Sequence, residues 1–86
     1  RAWTAQEVAL GFVGDVGDLA KLVQAKEGVR DIPDGEAKLA HELADCLWSV
    51  MTLAQLYDVD LEASFLATMD DLERGIETRL QQAGAV

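Results

Sequence analysis

The sequence predicts an all-α fold, and three observations carry that expectation. Apolar residues recur at spacings of three and four through three long segments, as one face of a helix requires. The only proline, Pro33, lies in "GVRDIPDG" (28–35), where two glycines and two aspartates already mark a loop. Half of the 86 residues are apolar, so disorder is not expected despite a net charge of -9.

The first helix is expected from about Thr4 to Lys26, with Gly28 placed to end it. The second runs from about Glu36 to Tyr57. A "DVD" turn (58–60) follows, in which Asp60 can cap a third helix with Leu61, Phe65, Met69, Leu72, Ile76 and Leu80 along one face. The longest apolar run, "CLWSVMTLA" (46–54), is far short of the roughly 20 residues of a membrane span and reads as a buried helix. No repeat, low-complexity tract or linker divides residues 1–86, which are expected to form a single helical domain. The chain starts with Arg1 rather than Met, as an N-terminus missing some sequence would, and no signal peptide is expected.

Composition narrows the function. Seven basic against sixteen acidic residues argue against a nucleic-acid partner, because such binding rests on Lys and Arg neutralising phosphates. Cys46 is the only cysteine, so an internal disulfide is excluded and a reducing, cytoplasmic setting is expected. Cys46 has no partner at zinc spacing and is expected to be a small buried residue. The first two helices are apolar on nearly every side, and three helices of this length cannot cover one another. A homodimer whose paired helices complete a four-helix core is the economical arrangement.

The acidic residues stand in the wrong place for a solvated face. Stepping about 100° per residue, Val8 and Leu22 fall within about 20° of Asp15, and Phe12 and Leu19 within about 60°. Asp18 lies one turn further along that side. In the second helix, Glu42 and Asp45 are again one turn apart, in line with Cys46, Ser49, Leu53 and Leu56. Four carboxylates in a partly dry interior repel one another and lose hydration, unless a cation sits among them. Oxygen-only ligands suit Mg²⁺, with Mn²⁺ as a substitute, and Mg²⁺ typically works with substrate phosphates. The other reading is that the helices are rotated so that the acids reach solvent.

These residues resemble the MazG-like superfamily of all-α nucleoside triphosphate pyrophosphohydrolases. Its signature is Glu-Glu-x-x-Glu followed, after a gap, by Glu-x-x-Asp. Here "GDVGD" (14–18) stands at the first element and "ELAD" (42–45) at the second. Around them, "LGFVGDVGDLAKLVQAKEG" is similar to the family's first core helix, and "KLAHELADCLWSVMTLAQLYDVDLEASF" to its second helix and the turn into the third. The resemblance implies Mg²⁺-dependent cleavage of a (d)NTP to (d)NMP and pyrophosphate, which can serve a house-cleaning role. It implies Asp15, Asp18, Glu42 and Asp45 as metal-binding catalytic residues. It also implies a homodimer or a dimer of dimers.

The chain departs from the family pattern at Gly14, which stands where the first Glu is expected, and Asp15 and Asp18 are one methylene shorter than the family's Glu. Gly14 therefore supports an alternative, a catalytically weak or inactive helical dimer that binds nucleotide or a protein partner. Lys38, one turn before Glu42, and Lys26 and Arg30 at the loop can hold the β and γ phosphates. Trp3 resembles an N-terminal family aromatic that stacks on the base, and it can instead pack on the end of the bundle. Trp48 is expected in a core or dimer interface, His41 in solvent or beside Asp45, and Asp70 and Asp71 on the surface. Gly11, Gly14 and Gly17 are expected to sit inside the first helix and to let a neighbouring helix or a substrate come close.

Overall fold

The computed structural model describes residues 1–84, and those residues form three helices: α1 (Ala5–Lys26), α2 (Gly35–Leu56) and α3 (Leu61–Gly84). Each boundary has a local cause. Thr4 is the N-cap of α1 rather than its first residue. The Glu7 backbone N–H donates to Thr4 Oγ1 at 3.2 Å, and the Thr4 N–H donates to Glu7 Oε1 at 3.0 Å. This reciprocal capping box satisfies two otherwise orphaned donors. Arg1 closes a two-pronged ion pair on the same carboxylate, at 2.7 and 3.0 Å. Trp3 and Val8, directly before the cap and four residues after it, line the same cleft, as in a hydrophobic staple.

The expected stop at Gly28 is present. Gly28 has φ 77° and its N–H donates to the Ala25 carbonyl, while Val29 N–H donates to the Gln24 carbonyl at 2.9 Å. That pair of bonds is a Schellman motif, which needs a left-handed residue. The end of α2 repeats it without glycine: Asp58 takes φ 56°, and Val59 N–H donates to the Ala54 carbonyl at 2.8 Å. At the start of α2, Asp34 is also left-handed (φ 55°) and its side chain caps nothing. Asp60 does cap α3, accepting from the Ala63 N–H at 3.0 Å.

α1 and α2 pack antiparallel along most of their length. Ala25 faces Gly35, Leu22 shares a cleft with Ala37 and Glu42, and Val8 shares another with Ser49. Val8, Leu22 and Ser49 are the buried residues of this hairpin. α3 barely touches either helix, and its stripe of Phe65, Leu72, Ile76 and Leu80 is exposed. The radius of gyration is accordingly 17.8 Å, against about 12 Å for a compact chain of this length.

The accessible surface measures 6995 Å², whereas a compact monomer of this mass exposes about 5,000 Å². The outer sides of the hairpin are apolar as well: Leu10, Val13 and Val16 on α1, and Leu43, Leu47 and Met51 on α2. One chain therefore contributes a pair of packed helices and an arm, and the expected four-helix core is not formed within it. No helix among the described residues is long and apolar enough to cross a membrane.

Candidate functional site

The stripe that buries Val8 and Leu22 carries Asp15 between them, half-buried, and that of α2 carries Glu42, also half-buried. Antiparallel packing brings the two together with Asp18, so that one oxygen of each of the three carboxylates lies within 4.8 Å of the others. Asp18 is on the exposed rim. Asp45 stands apart from this trio, and the His41 ring approaches it, with Nε2 3.1 Å from Asp45 Oδ2. The expected four acids are thus disposed as three plus one. Asp45 remains near enough for its charge to act on Glu42.

Glu42 is the anomalous member. Its Oε1 is buried and receives no hydrogen bond from any donor. Burial raises the Glu42 pKa first, a hydrogen bond shared with the Asp15 carboxyl raises it next, and the charges of Asp15, Asp45 and Asp18 add to this. Two ionised carboxylates have no hydrogen to share, so Oε1 is satisfied only by a proton held with Asp15 or by a cation. The adjacent Cys46 is half-buried, and burial followed by the charges of Glu42, Asp15 and Asp45 raises its pKa. Cys46 therefore stays a neutral thiol and leaves the site an oxygen-only donor set.

Two clefts open on opposite flanks of the trio. One, of about 500 Å³, is lined by Asp18 and Glu42 together with Lys21, Lys38, His41 and Asp34. The other, of about 260 Å³, runs from Asp15 and Asp45 to Trp3, Trp48, Gly11 and Ser49. Lys38 lines the first of these clefts, beside Asp18 and Glu42. Lys26 and Arg30 line a third cleft at the loop, separate from the acids, where Lys26 pairs with Glu36.

Trp3 is 64 % exposed and Trp48 57 %, so neither is a core residue of the chain. Trp3 leans over Gly11, with its ring 3.9 Å from the place a Cβ would take. Around Gly14 and Gly17 a Cβ would meet nothing within 4 Å, so no neighbour in this chain uses the room they leave. Asp70 and Asp71 are exposed on α3, as expected.

Lys21 escaped the sequence reading, and Trp48, expected in a core or dimer interface, lines the cleft with Asp15 and Asp45. Lys21 follows Asp18 at i+3, the same spacing that marked the acids, and that was the available signal. The capping box that positions Trp3 was legible as Thr4-x-x-Glu7. Ser49 is only 3 % exposed, a buried hydroxyl in a run that reads as uniformly apolar.

With this geometry in place, comparison with known proteins finds a matching family. The profile of the MazG nucleotide pyrophosphohydrolase domain covers residues 4–79, which include α1, α2 and most of α3. Neither curated proteins nor solved structures give a match.

Proposed function

Because the chain belongs to the MazG nucleotide pyrophosphohydrolase domain family, we propose that it hydrolyses a (d)NTP between the α and β phosphates, yielding (d)NMP and pyrophosphate with Mg²⁺ as cofactor. The observation that carries this reading is the orphaned, buried Glu42 Oε1 between Asp15 and Asp18. An interior oxygen with no donor, beside two further carboxylates, fits a hard divalent cation. Asp15, Asp18 and Glu42 would hold it, with Asp45 as the fourth acid. When bound, Mg²⁺ neutralises triphosphate charge and makes an attacking water more acidic.

The chain's own residues supply the rest. Lys21 and Lys38 line the cleft beside Asp18 and Glu42 and would take the charge of the departing β and γ phosphates. Lys26 is engaged by Glu36, so a phosphate would have to displace that pair to reach it. Arg30 lies in the same separate cleft. Gly14 offers no carboxylate, so a proton lost by the attacking water would pass to one of the remaining acids or, with the metal lowering the water's pKa, to solvent.

The assembly completing the fold is proposed to be a homodimer or a dimer of dimers. Each chain carries about 2,000 Å² more surface than a compact monomer needs, and burying it from both sides gives an interface of obligate size. The exposed stripe of α3 and the outer faces of the hairpin are the surfaces to be covered.

Gly14 also favours a second reading, in which the dimer binds nucleotide and turns it over poorly or not at all. One experiment separates the two: pyrophosphate release from a panel of NTPs and dNTPs with and without Mg²⁺. Metal-dependent release that Glu42→Gln abolishes, with the dimer intact, supports the enzyme. Nucleotide that protects the fold thermally without being turned over selects the binding protein. In that case Gly14→Glu is the informative variant, since open space at this position accommodates the side chain. Appearance of pyrophosphate release on restoring the carboxylate would assign the defect to Gly14.

A further inference from the structure

We propose that Trp48 is the second wall of a nucleobase subsite, facing Trp3, with Ser49 as its floor. The inference rests on the reading of a nucleotide substrate and adds the direction in which the substrate lies. The cleft holding the two indoles also holds Asp15 and Asp45, so it opens directly onto the acids. The cleft on the opposite flank carries Lys21 and Lys38, and its one ring among the lining residues is the imidazole of His41, which pairs with Asp45. The two lysines there, set among Asp18, Asp34 and Glu42, can pair with phosphate oxygens, and an uncharged π-faced ring stacks on the indoles of the other cleft. The substrate thus runs from the base between the indoles, across Asp15 and Glu42, to the terminal phosphates at the lysines.

Each part of the aromatic cleft has a local cause. The Thr4–Glu7 capping box and the Arg1–Glu7 pair fix the segment that carries Trp3. The Trp3 ring lies over Gly11, at ordinary contact distance from where a Cβ would stand. Ser49, next to Trp48 in α2, is buried at the α1–α2 contact and lines the cleft with a small hydroxyl. A large apolar residue there would fill the space a base needs. Trp48 is more than half exposed although it adjoins the buried Ser49, which suits a side chain that waits for a planar ligand.

Trp3 and Trp48 are the two tryptophans of the chain, so single-indole variants report each wall separately. In Trp3→Phe the emission comes from Trp48, and in Trp48→Phe from Trp3. Titration of the intact assembly with a nucleoside monophosphate, without metal, is expected to change both emissions along one saturation curve. Inorganic tripolyphosphate, with Mg²⁺ present, is expected to bind while leaving both emissions unchanged. Trp48→Ala is expected to weaken nucleotide binding about 10-fold and tripolyphosphate binding not at all. Ser49→Leu is expected to exclude the nucleotide selectively.

Nucleotide that binds by calorimetry without altering Trp48 emission overturns the proposal and leaves the activity reading standing. Trp48 emission that follows protein dilution, and not nucleotide, overturns it too, because Trp48 then belongs to an interface between copies. Absence of both nucleotide binding and turnover overturns the activity reading as well.

Discussion

The α1–α2 hairpin and α3 are of similar length, yet they use their apolar faces in opposite ways. The hairpin closes on itself and sets the half-buried Asp15 and Glu42 in the stripe of Val8, Leu22 and Ser49. α3 has the more regular stripe, with charged residues on its other sides, and closes on nothing in the chain. A helix pair that places carboxylates in its core gives up hydrophobic stabilisation at those positions. The stabilisation has to come from apolar surface elsewhere, and α3 together with the outer faces of the hairpin exposes apolar surface that the proposed homodimer would cover. The candidate site and the proposed assembly surface are thus two consequences of one distribution of residues.

The most damaging way to break this contrast is to charge the α3 stripe. Phe65→Asp combined with Leu72→Asp is expected to dissociate the assembly and to remove most of the helical signal. Each large side chain forfeits about 1.5–3 kcal/mol of burial in every copy. Sedimentation and circular dichroism read this outcome, and a chain that keeps its size and helicity would show that the stripe covers nothing.

Next in size is Glu42→Gln, which acts on the hairpin alone. Because the Glu42 carboxyl is held above its ordinary pKa, the folded chain binds that proton more tightly than the unfolded chain. Stability without metal is then greatest below the ordinary glutamate pKa and falls as pH rises through it to the raised value. Glu42→Gln is expected to flatten this fall in melting temperature against pH while abolishing metal-dependent turnover. A profile unchanged by the substitution would mean that Glu42 bears no such penalty.

The two helix ends offer a smaller and cleaner contrast, since Gly28 and Asp58 terminate α1 and α2 by the same pair of hydrogen bonds. Asp58→Gly is expected to stabilise the fold by about 1 kcal/mol, and Gly28→Ala to destabilise it by about the same amount, because only glycine takes a positive φ freely. Chemical denaturation measures both. If Asp58→Gly loses stability instead, the aspartate side chain has a role beyond ending the helix.

The smallest effect concerns the partly exposed start of α1. Arg1 first, and the Thr4 N–H second, lower the Glu7 pKa to about 2. The contribution of this carboxylate is present above the ordinary value of 4.5, and it is lost as pH falls from there through about 2. Glu7→Gln is expected to remove that acid-limb loss and to loosen the segment bearing Trp3, visible as a shift in Trp3 emission.

Much of this was legible along the chain because its causes are local. Helix limits came within one residue, since Gly28 and Asp60 act on neighbouring backbone groups. The displacement of Asp15 into the apolar stripe followed from one helical period. The trio itself was only half legible: a helical wheel gives direction around one axis and says nothing of the distance to a second. Asp18, Glu42 and Asp45 point to similar sides, yet only the first two join Asp15, because Asp45 lies one turn further along α2, opposite Trp3 and Gly11. Lys26 looked available for phosphate until the loop folded Glu36 against it.

The sequence by itself determined three helices, their caps and the misplaced acids, because spacing and capping are properties of consecutive residues. The tertiary structure alone decided that Asp15, Asp18 and Glu42 come together in one cluster, that Lys21 and Lys38 stand on one side and Trp3 and Trp48 on the other, and that α3 is left uncovered. Those facts depend on how two helix axes are set side by side, and that is fixed by packing across the hairpin rather than by any stretch of chain.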